Sequence, residues 1–425
     1  MLGNCAAQMQ TVRKMIRKPA LIGALGGFGS SVVLSGFVSL ATIPFVVAHT
    51  GASGWSSVAV GQSLGSVAGI FTLLGWAQSG PTEVAIVKSG RGVYFFESFR
   101  VRLLFLVPSA LVVALLSVLL DTPSRIATFF VAFSILIANL GASWFYVGER
   151  NPKALFFLDT LPRSAFVVVG SIAVVFGAGI VAYSVLLLCG TVLAVLLSCV
   201  DVHRRHRSKV EDVDGLKRSL KQILLGQRHG IGTALLSTAY LQAPLLVLQG
   251  IAPSTVPAYA LADKIKQQSL TMYKPISQVV QGWTPSAGEE MIYYRVKKAQ
   301  KFTVGFAILG FVLFLLLLPL ASSILASSIE VDFALVVPFS VALGANILSF
   351  TVGVGCLLPL RLERHITISA ALGMALIGIS IVPAIVLGGG PGAAWAVAVS
   401  QSVVAIYQLI ILNRKLYVKR EAAHV

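Results

Sequence analysis

The sequence predicts an all-α polytopic membrane protein. Three observations lead to this fold class: the composition, the division into apolar segments and the distribution of charge. Of the 425 residues, 56% are hydrophobic and only 12% are charged, and the mean hydropathy is +0.87. Because soluble domains carry roughly 25% charged residues, an ordinary soluble protein and a disordered chain are both excluded.

Apolar segments of membrane-spanning length follow one another along the chain. A helix needs about 20 apolar residues to cross a bilayer. By that measure the sequence predicts about twelve transmembrane helices, at 20–48, 55–78, 103–120, 126–147, 154–176, 180–200, 230–251, 256–284, 302–325, 333–358, 366–388 and 391–413. The eighth segment is polar enough for a hydropathy window to miss it, so the count has to be tested by charge.

The basic residues support twelve spans and predict their orientation. With twelve spans, the amino terminus, the loops after even-numbered spans and the tail share one side of the membrane. That side holds 28 of the 33 Lys and Arg residues, with Arg100 and Arg102 in the loop after span two. The other side holds only Arg125. Since cytoplasmic loops are enriched in Lys and Arg, both termini are predicted to be cytoplasmic, and the net charge of +17 does not require nucleic acid as a partner.

The longest polar stretch divides the chain into two halves of six spans. Paired Gly-Trp sequences at 75–76 and 282–283 close spans two and eight and favour a pseudo-twofold repeat, whose interface would hold a transport site. The predicted organisation is a basic cytoplasmic N-terminus at 1–19, a six-helix bundle at 20–200, a basic cytoplasmic linker at 201–229, a second six-helix bundle at 230–413 and a cytoplasmic tail at 414–425.

The linker is predicted to carry an amphipathic helix on the anionic inner leaflet. Its apolar face consists of Leu216, Leu220, Ile223 and Leu224.

Span eight is the segment most informative about function, because it carries a polar stripe at membrane depth. At 100° per residue, the stripe falls within about 60° and consists of Asp263, Gln267, Lys274, Gln278 and Gln281. The opposite face is apolar, with Leu261, Ile265, Met272, Ile276, Val279 and Trp283. A charge at the bilayer centre costs at least about 2.5–3.5 kcal/mol, so the stripe is expected to line a water-filled, basic central cavity.

Two further lysines in span eight, Lys264 and Lys266, lie nearer its outer end. They either line the same cavity or extend to the interface while their stems stay in the membrane. Asp263 is a candidate for ion coupling or for an ion pair.

Span five contains a second intramembrane cation, Arg163, about 15 Å from the start of the span. Asp159 precedes it by four residues and shares its helical face. The two residues form either a structural ion pair or a cation site held ready for an anionic ligand.

Other chemistry has no counterpart in the sequence. There is no GxxxxGK[ST] phosphate-binding loop, and neither the six histidines nor the four cysteines have metal-binding spacing. We therefore expect no cofactor, no metal and no enzymatic activity. The predicted outer connections are also too short to hold a catalytic domain.

Three segments resemble the oligosaccharidyl-lipid and polysaccharide flippases (the O-antigen flippase-like members) of the multidrug/oligosaccharidyl-lipid/polysaccharide exporter superfamily. They are SGFVSLATIPFVVAHTGASGWSSVAVGQSL in spans one and two, WFYVGERNPKAL at the end of span four, and PAYALADKIKQQSLTMYKPISQVVQGWTPSAG in span eight. The resemblance implies two six-helix bundles around a central cavity that alternates its access. It also implies movement of a polyprenyl-pyrophosphate-linked oligosaccharide to the outer leaflet of a bacterial cytoplasmic membrane.

The resemblance agrees with the residues of the predicted cavity. Lys274 would hold the pyrophosphate, the stripe's glutamines would bind sugar hydroxyls, and Arg163 would add a guanidinium fork. Lipid-linked glycan and membrane lipids are the expected partners. A glycan polymerase and glycosyltransferases are candidates for additional partners. Spans one and two lack a dense cluster of arginines, which argues against a peptidoglycan-precursor flippase. Two alternatives stay open: an ion-coupled exporter of small molecules and a membrane enzyme that polymerises glycan.

Overall fold

The computed structural model describes residues 18–86, 90–206, 220–284 and 288–421, and within these ranges all regular structure is helical. A 3₁₀ turn at Pro253–Thr255 and π-helical turns at Leu155–Thr160 and Gly353–Leu357 join or extend the helices. The α-helices are α1 (Lys18–Ala41), α2 (Ile43–Leu73), α3 (Trp76–Ile86), α4 (Arg91–Leu119), α5 (Arg125–Ala138), α6 (Ser143–Gly148), α7 (Pro152–Ala154), α8 (Leu161–Val175), α9 (Ile180–His206), α10 (Leu220–Ile251), α11 (Val256–Trp283), α12 (Gly288–Leu325), α13 (Phe333–Val352) and α14 (Glu363–Glu421).

Twelve membrane passes can be traced through the described ranges, as the sequence predicts. Eight continuous stretches are long and apolar enough to cross a bilayer, and the longest, Glu363–Tyr417, reverses direction once and supplies two passes. The shorter apolar helices Gly27–Ala41 and Tyr240–Ile251 supply two more, and the polar α11 supplies the twelfth. The all-α polytopic fold class is therefore confirmed.

Two glycines allow the chain to reverse between consecutive passes. Gly51 has φ +69° and separates the first two passes inside α2, and Gly389 has φ +55° and separates the last two inside α14. Positive φ is strained for residues with a Cβ but accessible to glycine. Both positions fall in the outer turns that the sequence predicts, at 49–54 and 388–390.

The described chain forms two compact units that do not follow its linear order. The first unit comprises Met1–Thr42, Ala68–Val113 and Phe130–Ala234, and the second comprises Ile43–Val67, Ala114–Phe129 and Leu235–Val425. Two segments of the N-terminal half, 43–67 and 114–129, therefore pack with the helices of the C-terminal half.

The core of the first unit is an aromatic cluster around Phe95. Its ring lies 5.4 Å from the ring of Phe145 and 6.1 Å from that of Trp144, centroid to centroid, and Tyr94 meets Trp144 edge-on at 6.0 Å. Such offset and edge-on pairs add roughly 0.5–1.5 kcal/mol beyond the area that they bury. The cluster joins α4 to α6 and fixes the neighbouring helix break.

Arg102 is wrongly placed in a cytoplasmic loop by the sequence analysis, because α4 already begins at Arg91 and buries this side chain completely. The helical run breaks between α5 and α6, which leaves backbone carbonyls without helical partners. Arg102 Nη1 donates to the carbonyls of Asn139 and Gly141 at 2.6 and 3.2 Å. The guanidinium also lies 5.4 Å from the Trp144 ring centroid. These carbonyls and rings explain why a charge is buried here.

Only the last part of the predicted linker is described, because 207–219, including Leu216, lies outside the described residues. Ile223, in the first turn of α10, is 7% exposed and packs into the aromatic core of the first unit, with Leu224 against it. Protein therefore covers Ile223, and the expectation that it faces the inner leaflet is wrong.

Candidate functional site

The second unit contains a buried ionic cluster on α11. Lys266 Nζ lies 2.6 Å from Asp263 Oδ1, and only 3% and 12% of the two side chains are exposed. Gln267 Nε2 donates to the other carboxylate oxygen of Asp263, also at 2.6 Å. Both oxygens of Asp263 are thus engaged by residues three and four positions further along its own helix, which is the spacing at which helical side chains meet.

Lys266 is neither at the interface nor open to a cavity, so both expectations for it are wrong. Its ammonium lies 5.1 Å from the ring centroid of Phe339 on α13, and Tyr259 packs against that same ring at 5.0 Å. A carboxylate and an aromatic face together satisfy a desolvated ammonium. The local sequence could not reveal Phe339, which lies more than 70 residues away.

Lys264 has different surroundings although it is only two residues from Lys266. It is half-buried, and its Nζ donates to the side-chain oxygen of Gln62 on α2 at 3.3 Å. The nearby Asp263 is already occupied by Lys266 and Gln267. Residues 263–266 therefore carry two ammonium groups and one carboxylate, and the positive charge left over is held by a neutral amide.

The other members of the predicted stripe are only partly described. The side chains of Lys274 and Gln278 lie outside the described residues, Gln267 is half-buried against Asp263, and Gln281 is exposed. That the stripe lines water stays a prediction. The predicted apolar face divides in two: Leu261 and Ile265 are buried by protein, whereas Met272 and Val279 are more than 70% exposed.

Neighbouring polar residues of α11 contact α13. The hydroxyls of Tyr273 and Ser277 lie 2.8 and 3.1 Å from Thr351 Oγ1. These contacts fix the rotation of α11 about its own axis, and with it the side on which Lys264 and Asp263 emerge.

The first unit contains the Asp159–Arg163 ion pair, with Arg163 Nη2 2.6 Å from Asp159 Oδ1. The same nitrogen makes a long contact of 3.4 Å to the carbonyl of Ala138, beside the α5–α6 break. Asp159 lies in the π-helical turn 155–160, three residues before Pro162. Nε of Arg163 is buried without a hydrogen-bond partner, and 28% of the side chain is exposed. One edge of the guanidinium fork is therefore not used by protein.

Sequence reasoning missed several polar residues that connect helices in the second unit. Ser63 Oγ donates to Gln242 Oε1 at 2.9 Å, and Gln249 Nε2 donates to the carbonyls of Leu120 and Asp121 at 3.2 and 3.3 Å. The available signal was an amide side chain inside an otherwise apolar span, since such groups hydrogen-bond between helices in membranes. Gln62, Gln242 and Gln249 all meet that description.

Among the residues that the structure describes, no group of three His, Cys, Asp or Glu side chains could hold a metal ion.

No protein-family model and no curated protein sequence matches this chain, but solved structures do. A MATE transporter in the bent conformation superposes with a TM-score of 0.56 at 14% identity, covering 96% of this chain and 97% of that one. The lipid II flippase MurJ in its inward closed conformation gives 0.69 at 12% identity, covering 92% and 89%. A MOP superfamily transporter from Pyrococcus furiosus gives 0.56 at 13%, covering 93% and 95%.

The chain has the fold of the MATE and MurJ transporters. The superfamily resemblance seen in the sequence is thereby confirmed at the level of the fold, and over nearly the whole length of the chain. The protein is a multi-pass membrane protein with a transporter fold, and its α11 carries the ionic cluster described above.

Proposed function

We propose that this protein is a flippase that moves a polyprenyl-pyrophosphate-linked oligosaccharide from the inner to the outer leaflet of a bacterial cytoplasmic membrane, by alternating access, for surface polysaccharide assembly. The observation that carries the proposal is the surplus positive charge on α11, where Lys266 neutralises Asp263 and Lys264 is left on a neutral amide. A pyrophosphate is the part of such a substrate that this charge suits, because bonds from ammonium to phosphate are charge-assisted and shorter than neutral ones.

Each proposed binding residue has a defined role. Lys264, Lys274 and Arg163 supply positive charge for phosphate oxygens, and 28% of the Arg163 side chain is exposed. Gln267, Gln278 and Gln281 supply amides for sugar hydroxyls. Lys266 leaves this set, because its charge is already matched and almost fully buried.

An ion-coupled exporter of small molecules is the second candidate, and the similarity to MATE structures favours it. Asp263 would then be the coupling residue, with Lys266 as its exchange partner. The Pyrococcus furiosus transporter is described as having a binding pocket of reverse polarity that suggests a different function. The sign of the charge near α11 therefore bears on the choice between the two candidates.

The deciding experiment uses purified protein in liposomes that carry a fluorescent polyprenyl-pyrophosphate-linked oligosaccharide in both leaflets. Arrival in the outer leaflet is measured as quenching by a membrane-impermeant reductant. We expect quenching beyond the half that is initially exposed, and little movement of the corresponding neutral polyprenol glycan. Transport of an organic cation without movement of the lipid-linked glycan would replace the proposal by the exporter.

The orientation is proposed from the distribution of basic residues and has a direct test. Reporter fusions at residues 52, 123, 254 and 330 should report outside the cytoplasm, and fusions at 90, 151, 210, 297 and 420 should report inside. An outside result at 297 would contradict the twelve-pass topology. A glycan polymerase and glycosyltransferases are proposed partners, to be tested by co-purification with the membrane-embedded protein.

A further inference from the structure

Three hydrogen-bonded contacts in the second unit connect segments of the N-terminal half of the chain to helices of the C-terminal half. The segments are 43–67 and 114–129, and the helices are α10 and α11. The contacts are Lys264 to Gln62, Ser63 to Gln242, and Gln249 to the carbonyls of Leu120 and Asp121. These contacts are here called the polar latch.

The part of the latch on α10 is regular. Gln242 and Gln249 are seven residues apart, so two helical turns separate them on one face of α10. Gln249 is 2% exposed and binds the carbonyls of the two residues that follow α4, which lie beyond its last helical hydrogen bonds. Both contacts join neutral groups, so neither contains a positive charge that would attract an anion.

The contact on α11 differs in charge and in length. An ammonium held by an amide oxygen at 3.3 Å is at the long end for a hydrogen bond. An ammonium binds an anionic phosphate oxygen at about 2.7–2.9 Å and gains an attraction between opposite charges that a neutral amide oxygen does not offer. An anionic ligand would therefore take Lys264 away from Gln62, whereas an uncharged ligand would not.

We propose that Gln62 is a positioning residue that holds Lys264 until a pyrophosphate-bearing substrate displaces it, and that this displacement loosens the polar latch. The inference rests on the proposed function and adds its regulation: an anionic headgroup opens the contact between α2 and α11. The neutral contacts of Gln242 and Gln249 set how firmly the latch is closed without substrate. Specificity for a charged lipid then arises from a competition between an amide and a phosphate for one ammonium.

The first test changes the competitor at one position in opposite directions. Gln62→Glu gives Lys264 an ionic partner and should raise the substrate concentration for half-maximal flipping by roughly tenfold. The reason is that the ionic partner holds Lys264 more tightly, and a tenfold change in an equilibrium constant corresponds to about 1.4 kcal/mol. Gln62→Leu removes the competitor and should lower that concentration. Ser66→Ala removes a hydroxyl that donates to the Gln62 carbonyl within α2, outside the latch, and is the matched control, expected to leave the concentration dependence unchanged. If Gln62→Glu and Gln62→Leu shift the substrate concentration for half-maximal flipping in the same direction, Gln62 does not compete with substrate for Lys264.

The second test reads the latch without transport. Ser63→Cys and Gln242→Cys are combined in a background without the native cysteines and joined by a short thiol-reactive crosslinker. Polyprenyl pyrophosphate should lower the crosslinking yield several-fold, the neutral polyprenol should not, and adding Gln62→Glu should blunt the response. If polyprenyl pyrophosphate binds and is flipped but the crosslinking yield stays constant, the proposal that substrate loosens the polar latch is wrong, while the proposed flippase function is retained. If the pyrophosphate lipid neither binds nor moves, both are wrong.

Discussion

The two buried acid–base pairs, one in each unit, look alike in sequence and differ in structure. Asp159–Arg163 and Asp263–Lys266 each place a base one helical turn after an acid, and each closes at 2.6 Å. Arg163 keeps 28% of its side chain exposed and an Nε without a partner, whereas Lys266 is 3% exposed and lies against Phe339. The spacing of an acid and a base along a helix therefore identifies an ion pair. Whether the cation of that pair can also bind a ligand depends on which further side chains pack against it.

The largest effect is expected from Asp263→Asn, which leaves the Lys266 ammonium buried without its acid. Breaking a buried pair on one side costs about 3–5 kcal/mol, so the free energy of unfolding in detergent should fall by about that amount. The double variant Asp263→Asn/Lys266→Met should recover most of the loss, because an apolar replacement of a buried pair is often neutral.

The control for this prediction is the exposed pair Asp121–Arg125, an acid and a base four residues apart that close at 2.8 Å. Asp121→Asn should cost no more than about 1 kcal/mol, as for exposed pairs in general. If Asp121→Asn and Asp263→Asn lowered the free energy of unfolding by similar amounts, the Asp263–Lys266 pair would not be shielded from water.

A smaller effect is expected from Arg163→Gln, and it should appear in transport more than in stability. Loss of hydrogen bonds from a charged group to a ligand costs about 1.5–3 kcal/mol, so flipping should slow by roughly 10- to 100-fold. Because Asp159 is only 10% exposed and loses its partner in this variant, flipping is normalised to the amount of folded protein in the membrane.

The double variant Asp159→Asn/Arg163→Gln separates a ligand site from a structural pair. It removes the acid and the base together, so a purely structural pair would be replaced at little cost. Normal flipping by this double variant would rule out Arg163 as a ligand group.

The mildest test introduces single cysteines along α11 in a background without the native ones. Cysteines at 267, 274 and 278 should react with a water-soluble thiol reagent, whereas those at 265, 272 and 276 should not. Met272 is 74% exposed, so a cysteine there should react only with a lipid-soluble reagent. Equal labelling of the two sets would show that the polar stripe of α11 does not line water.

The fold could be predicted from the sequence because membrane passes depend on local composition. The length of the apolar segments predicts where the spans lie, and the distribution of basic residues predicts how many there are. The reversals at Gly51 and Gly389 fall where outer turns are expected. The Asp159–Arg163 pair was also within reach, since both partners belong to one helix.

The parts of the site that could not be predicted depend on partners from distant helices. Lys264 and Lys266 are equivalent in local sequence, and only Gln62 and Phe339 distinguish them. Arg102 was assigned to a loop because hydropathy shows where a span is apolar and not where a helix starts. Its guanidinium donates to carbonyls at a helix break, and the sequence around that break contains no pattern that predicts it.

The burial of Arg102 has a consequence for how the chain enters the membrane. Its acceptors at Asn139 and Gly141 lie 37 and 39 residues further along the chain. At a synthesis rate of about 5–20 residues per second, they follow Arg102 roughly 2–8 s later. During that interval α4 carries a guanidinium without its final partners, so it cannot settle in the bilayer alone. We therefore expect α4 and α5 to complete their membrane insertion together, once the break between α5 and α6 has been synthesised.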